Sequence, residues 1–134
     1  MKFNYEKLPA TAVYQNGFQK LHSYGEWRIM TSGIAEQEHP RVLQKHDCTD
    51  EVFVLVRGGG FMLLGESNEK LEACPMQVGY SYAVPRGFWH AHVLEAGSQI
   101  LIIENDDTSL ENSPIVDMSS EQIEMYEKLI GVKS

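Results

Sequence analysis

Two short segments of this 134-residue chain carry side chains that could bind a metal ion or transfer a proton. The first segment contains Gln44, His46 and Glu51, and the second ends at His90, with His92 two residues beyond it. Imidazole and carboxylate groups are suitable ligands for Zn, Mn, Fe or Ni. If the fold brings the segments together, His46, Glu51 and His90 would form a site for one divalent cation.

A turn must separate His46 from Glu51, because the five-residue spacing is too short for two strands. The residues between them are polar and of types that favour turns by bonding their own backbone. The β-branched and aromatic run that begins at Glu51 is typical of a strand, with Glu51, Phe53 and Leu55 on one face. A carboxylate on such an apolar face needs a cation or strong hydrogen-bond donors to stay charged.

In the second segment, Pro85 and Gly87 favour a turn, because one fixes a φ angle and the other frees one. We expect this turn to direct His90 toward the interior of the sheet, with His92 on the same face. His92 could carry a proton or only form a hydrogen bond at the rim. Glu51 is the other candidate proton carrier if no metal is bound, because burial in an apolar barrel can raise a carboxyl pKa toward neutrality.

The spacing of these residues resembles the two motifs of the cupin family. Glu51 and Gly58 match the second half of the first motif. The residues that match the second motif are Gly79, Pro85, Gly87 and His90. The resemblance implies a small jelly-roll β-barrel that holds one divalent metal ion through three His and one Glu. Carried over by position, three of these ligands would be His46, Glu51 and His90.

Three positions depart from the family pattern. Gln44 stands in place of the first His, Glu38 in place of the opening Gly, and Leu94 in place of an expected Asn. An amide oxygen can also bind a metal, so Gln44 is the candidate fourth ligand, although a weak one. In an alternative register His46 becomes the first His and Cys48 the second ligand, but the spacing to the carboxylate is then too short.

The composition indicates which partners are poorly suited to this chain. The formal net charge is −8, and the sequence pI is about 5.0. Nucleic acid and anionic membrane surfaces are poor partners for such a charge. We expect a cytoplasmic protein, since the first residues lack the apolar core of a signal peptide and no apolar run approaches the length of a membrane helix. Cys48 and Cys74 are then expected to be free thiols.

The pattern of elements predicts an all-β protein, a jelly-roll barrel followed by a short C-terminal helix. We expect an N-terminal arm at 1–26, the barrel core at 27–105, and a loop with the helix at 106–134. Ser119 and Gln122 have the spacing of a capping box. The apolar stripe of this helix, formed by Ile123, Tyr126 and Ile130, is expected to pack on the outside of the barrel.

The strand that begins at Glu51 is apolar on its outer face as well, through Val52, Val54 and Val56. Strands that are hydrophobic on both faces are usually covered on both. A second subunit or the N-terminal arm could provide the cover, and we expect a homodimer.

The resemblance implies a set of activities on a small metabolite: dioxygenase, isomerase or decarboxylase. The alternative is a non-catalytic barrel that binds or senses a small molecule with a degenerate metal site. Gln44 is the main argument for that alternative, because it replaces a strong ligand with a weak one.

Overall fold

The computed structural model describes residues 8–131 of the chain, which contain ten strands and one helix. In chain order the elements are β1 (Gly17–Tyr24), β2 (Trp27–Gly33), β3 (Val42–Gln44), β4 (Glu51–Arg57), β5 (Gly60–Ser67), β6 (Lys70–Met76), β7 (Ser81–Val84), β8 (Trp89–Leu94), β9 (Gln99–Asn105), β10 (Ile115–Asp117) and α1 (Ser120–Gly131). The all-β architecture with a C-terminal helix is therefore confirmed.

The strands form two five-stranded antiparallel sheets. The first sheet has the order β1-β2-β9-β4-β7, and the second has the order β10-β3-β8-β5-β6. Strands that are neighbours in a sheet are often distant in sequence, and β4 and β8, which carry the two motifs, lie in different sheets. The motifs can therefore meet only in the space between the sheets.

The space between the sheets is filled by a buried apolar core at one end. Strand alternation places Phe53 and Leu55 of β4 inward, opposite Leu94 of β8. The buried members of this core are Met30, Phe53, Leu55, Met62, Met76, Val84, Leu94, Ile100 and Ile102. Leu94, which replaces the Asn expected from the cupin pattern, thus packs in the core.

The hairpin after β4 depends on a glycine. Gly58 has a φ of 91°, and a Cβ atom at this position would lie 2.2 Å from the hydroxyl oxygen of Ser98. Only glycine satisfies both the left-handed backbone and the close approach of the neighbouring loop. The glycine that closes the first motif is therefore required by the geometry of the turn.

Helix α1 covers the outer face of the second sheet. Tyr126 is fully buried there against a second apolar cluster that includes Leu43 and Leu63, and its hydroxyl group donates to the carbonyl oxygen of Pro40. At the start of the helix, the backbone N–H groups of Ser119 and Gln122 each donate to the other's side chain. The expected capping box is therefore present.

Two strands lie outside the segment expected to form the barrel core. β1 pairs with β2, although it falls within the expected N-terminal arm, and β10 pairs with β3, although that stretch lies in the expected loop-and-helix segment. Residues 1–7 of the arm and 132–134 after the helix lie outside the described part of the chain. Both cysteines are free. Among the described residues, no helix combines the length and apolar composition needed to cross a bilayer.

Candidate metal centre

Backbone hydrogen bonds hold the two motif segments together at the open end of the sheets. The N–H group of Gly87 donates to the carbonyl oxygen of His46 over 2.8 Å. The N–H group of Arg86 donates to a side-chain oxygen of Asp50, also over 2.8 Å. The Pro-x-Gly turn is thus joined directly to the turn that precedes β4. The same turn directs His90 inward at the second residue of β8.

His46, Glu51 and His90 meet in one buried cluster. Nε2 of His46 lies 3.1 Å from Oε1 of Glu51, and Nε2 of His90 lies 2.8 Å from the same oxygen. Potential ligand atoms of the three residues all lie within 4.8 Å of one another, and each residue is 6 % exposed. The structure therefore brings these three predicted site residues to one point. Cys48 is exposed and lies outside the cluster.

The opposite nitrogen of each imidazole is engaged by a hydrogen-bond acceptor. Nδ1 of His90 lies 3.1 Å from the carbonyl oxygen of Phe88, which can only accept. Nδ1 of His46 lies 2.7 Å from Oγ of Ser113, whose own hydrogen is directed to Oδ1 of Asn112. Both Nδ1 atoms are therefore donors, and a neutral ring in this tautomer presents a lone pair at Nε2.

This arrangement fits a divalent cation. If both rings are neutral, two Nε2 lone pairs and a carboxylate oxygen face one another at about 3 Å, which is repulsive unless positive charge lies between them. Either extra protons on the imidazoles or one metal ion would supply that charge. In metal sites, a ligating His usually donates a hydrogen bond from its other ring nitrogen, which fixes its tautomer, and both rings do so here.

A fourth titratable group, Glu104, lies beside this cluster and was not singled out in the sequence. Glu104 is the last inward-facing residue of β9, after Ile100 and Ile102. Strand alternation could therefore have indicated that its side chain points inward. Its Oε1 accepts a hydrogen bond of 2.7 Å from Arg28, its cross-strand partner, and its Oε2 lies 3.9 Å from Nε2 of His46.

The charges of this cluster shift the pKa values of its members. Burial disfavours ionisation of Glu51, but hydrogen bonds from His46 and His90 hold the pKa of Glu51 well below its usual range. Burial also disfavours charging of His46, yet its hydrogen bond to Glu51 and the nearby carboxylates raise the pKa of His46 above its ordinary value. The expectation of a raised pKa at Glu51 is therefore wrong, because the two imidazoles stabilise its charged form.

Glu104 is the carboxyl group whose pKa is raised. Burial raises the pKa of Glu104 to about 7, with a further contribution from the hydrogen bond and negative charge of Glu51, while Arg28 opposes the shift. In metal-free protein near neutral pH, Glu104 is therefore poised between its protonated and charged forms.

The stability of the metal-free protein should depend on pH through Glu104. A carboxyl with a raised pKa in the folded state stabilises the fold fully below its unfolded pKa of 4.5, and this contribution is lost as pH rises through about 7. Between these values we expect the free energy of unfolding of wild type to fall relative to Glu104→Gln, by at most about 1.4 kcal/mol per pH unit. Urea unfolding of chelated protein at several pH values measures this difference. Parallel pH profiles for the two proteins would contradict the assignment.

His92 lies on the same inner face of β8 as His90 but belongs to a separate pair. Its Nδ1 lies 2.6 Å from Oε1 of Glu38, which also accepts a hydrogen bond of 3.0 Å from the N–H group of Leu94. The carboxylate fixes Nδ1 as a donor and leaves Nε2 free to accept a proton. Glu38 occupies the position of the opening motif Gly, and its role as a partner of His92 was not expected.

A cavity of about 460 Å³ joins these groups and is open to solvent on one side. Its size falls in the range of about 300–1,000 Å³ that is usual for small-molecule sites. Gln44 lies on its wall, directly opposite His90 across the β3–β8 pairing. The lining also includes Phe53, the cluster of His46, Glu51 and His90, the His92–Glu38 pair, and residues 108–110 of the loop after β9.

Comparison with known proteins gave likenesses only at the level of structure. No protein-family model matches this sequence, and no curated protein matches it. Among solved structures, the BH2720 protein of Bacillus halodurans has a TM-score of 0.62 at 17 % identity, and the match covers 84 % of this chain and 85 % of that chain. A cupin-2 domain protein of Shewanella frigidimarina has a TM-score of 0.53 at 20 % identity over 69 % of this chain and 83 % of that chain.

A third similar structure is that of the nucleoside dehydratase Pac13, with a TM-score of 0.56 at 15 % identity. The match covers 81 % of this chain and 95 % of that chain. Structures of two variants of Pac13 from Streptomyces contain uridine. These similarities concern the fold, and they agree with the two-sheet architecture described above. The chain therefore has the small β-barrel fold that these cupin-type structures share.

Proposed function

We propose that this protein binds one divalent metal ion between His46, Glu51 and His90 and acts on a small polar metabolite in the adjoining cavity. The observation that carries the proposal is the convergence of two Nε2 atoms and a carboxylate oxygen, with each ring held through Nδ1. Three side chains leave further coordination positions open for a ligand, and on a six-coordinate ion even a fourth protein ligand would leave such positions open.

A bound divalent ion would supply Lewis-acid polarisation of a carbonyl or enolate oxygen, or oxygen activation if it is iron. The protein's own contribution is to exclude bulk water from one side of the site, because Phe53 and Ile102 of the apolar core form the inner wall of the cavity. Isomerase, decarboxylase and dioxygenase chemistry all fit such a site.

His92 is the proposed proton carrier of this reaction. It lines the same cavity as His90, and its side chain is 26 % exposed, so a ligand can reach it. Glu38 orients the ring through Nδ1, so that Nε2 is the nitrogen that can exchange a proton with a ligand. Glu51 is less suited to this role. As a metal ligand it must be charged, and in metal-free protein hydrogen bonds from two protonated imidazoles favour its charged form and occupy one of its oxygens.

Replacement of Glu38 by Gln should release the ring of His92. Without the carboxylate, we expect the preference for the Nδ1–H tautomer to be lost and the protein to be destabilised by about 1–2 kcal/mol. Nitrogen-15 chemical shifts of the His92 ring report the tautomer, and urea unfolding reports the stability. Glu127→Gln, which removes the carboxylate bound to the exposed His39, is the matched control. An unchanged His92 spectrum in Glu38→Gln would remove Glu38 from this role.

A second candidate function is non-catalytic binding of a small molecule. It is favoured by the two hydrogen bonds to Glu51, which satisfy the carboxylate without a metal if the imidazoles are protonated. The cavity and the His92–Glu38 pair would then serve recognition alone. Weak metal affinity combined with tight binding of a polar ligand would identify this case.

Metal content tests the proposed function most directly. Protein purified without chelators and without a His tag should hold about one equivalent of a first-row divalent metal, because the buried donor set is preformed. A content below about a tenth of an equivalent, with no uptake on dialysis against Zn, Mn, Fe or Ni, would favour the binding function instead.

We also propose that the protein is a homodimer. Val52, Val54 and Val56 lie half-buried on the outer face of the first sheet, and the part of the arm described here touches that face around Thr31 and Gln99 through the carbonyl oxygen of Val13. A second subunit would cover the remaining apolar surface. A monomeric mass by light scattering would contradict this proposal.

A further inference from the structure

Glu104 carries a buried oxygen atom that receives no hydrogen bond from a donor among the described residues. The residue is 6 % exposed, and Arg28 occupies its Oε1 over 2.7 Å. Its Oε2 is buried and accepts no hydrogen bond from any described residue, although buried polar atoms are nearly always hydrogen-bonded. Only a proton on Glu104 itself, shared with Glu51, would pair this oxygen in the metal-free protein. An orphaned carboxylate oxygen next to a metal-ligand cluster calls for a cation or a donor that the side chains do not provide.

We infer that Oε2 of Glu104 is the fourth protein ligand of the metal ion, completing a set of two imidazoles and two carboxylates. The inference rests on the proposed metal site and deepens it. Oε2 lies 3.9 Å from Nε2 of His46. Two donors bound to one ion at about 2.0–2.2 Å are about 3–4 Å apart, so the two atoms can share a coordination shell.

Sheet register explains why this carboxylate can reach the cluster. Val52 pairs with Ile103 across the β4–β9 ladder, so the preceding Glu51 and the following Glu104 are neighbours on the inner face. Glu104 thus enters from the first sheet beside Glu51, whereas His90 enters from the second. The ligands would surround the ion from both sheets.

Arg28 has a positioning role in this arrangement. Its guanidinium group binds one oxygen of Glu104 and directs the other toward His46, which favours binding of the metal through a single oxygen. Gln44 is the competing fourth ligand, since it faces His90 across the β3–β8 pairing. Its amide oxygen is neutral and binds divalent metals more weakly than a carboxylate does.

The test compares metal affinity in matched variants. Kd values for Zn and Mn, measured by competition with a chelator, should rise about tenfold or more in Glu104→Gln. Glu124→Gln removes an exposed carboxylate of α1 and should retain the wild-type Kd. Gln44→Leu tests the competing ligand, and a larger loss in this variant than in Glu104→Gln would overturn the inference. The spectrum of bound Co²⁺ should also change in Glu104→Gln, and an unchanged spectrum and Kd would overturn it as well.

A crystal structure of metal-bound wild type provides a second measurement if Glu104→Gln fails to fold. Oε2 of Glu104 within about 2.5 Å of the ion would support the inference, and both carboxylate oxygens beyond about 3.5 Å would overturn it. His90→Ala separates this inference from the proposed function. If wild type binds metal, His90→Ala does not, and Glu104→Gln matches wild type, then only the role of Glu104 fails. If wild type binds no metal, both fail.

Discussion

Replacement of His90 by alanine should weaken divalent-metal binding about 100-fold or more. Loss of a residue that only supports a ligand costs about 10–100-fold in affinity, so loss of a ligand should exceed that range. The ring of His90 is 6 % exposed, and its Nε2 lies 2.8 Å from Glu51. Its removal leaves His46 and Glu51 without the ligand from the second sheet. Isothermal titration of chelated protein with Zn or Mn measures the change.

The control for this prediction is His39→Ala. His39 is an exposed imidazole paired with Glu127 on α1, and it lies outside the cluster of His46, Glu51 and His90. Its removal tests whether any surface imidazole contributes to the measured affinity. We expect the Kd of His39→Ala to equal that of wild type. If His90→Ala and His39→Ala bind metal equally well, the ion is bound elsewhere.

Replacement of Phe53 by alanine should lower the free energy of unfolding by about 3–5 kcal/mol. Phe53 is 2 % exposed in the core between the sheets. Its ring also meets the rings of His90 and His92 at centroid distances of 6.1 and 5.8 Å, both edge-on. The substitution therefore creates a cavity and removes the support of two site residues. Urea unfolding of chelated protein measures the loss.

Phe18→Ala is the matched control for Phe53→Ala. Phe18 lies on the edge strand β1 and is 53 % exposed, so its removal should change the free energy of unfolding by no more than about 0.5 kcal/mol. We also expect weaker metal binding in Phe53→Ala than in Phe18→Ala, because the His90 ring loses a packing partner. A loss of stability below about 1 kcal/mol at Phe53 would show that the core closes around the vacated space.

Strand alternation and turn chemistry predict which side chains of the main cluster point inward. The alternation of side chains along β4 puts Glu51 on the same face as Phe53, and the Pro85–Gly87 turn directs His90 inward. Such local rules apply to each strand separately. That β4 and β8 would face each other came from the resemblance to cupins, because no local pattern specifies which sheet a strand joins.

Long-range pairings explain what the sequence did not reveal. Glu38 lies in an irregular segment 54 residues before His92, and no periodicity links the two. Alternation along β9 puts Glu104 on the face of Ile100 and Ile102, but its place beside Glu51 follows from the pairing of β9 with β4, which β9 alone does not specify. The pKa of Glu51 was expected to rise because its burial was evident, whereas its two imidazole donors depend on tertiary structure.

The loop between β9 and β10 is both a wall of the cavity and a support of the candidate metal centre. Thr108, Ser109 and Leu110 line the cavity, and Ser113 accepts the hydrogen bond that orients His46. Substitutions in this loop that are meant to change ligand preference would therefore also perturb the candidate metal centre. Phe18 and Val42 also line the cavity, and neither side chain makes a hydrogen bond to the imidazoles within the described part of the chain, which makes them more independent positions for altering selectivity.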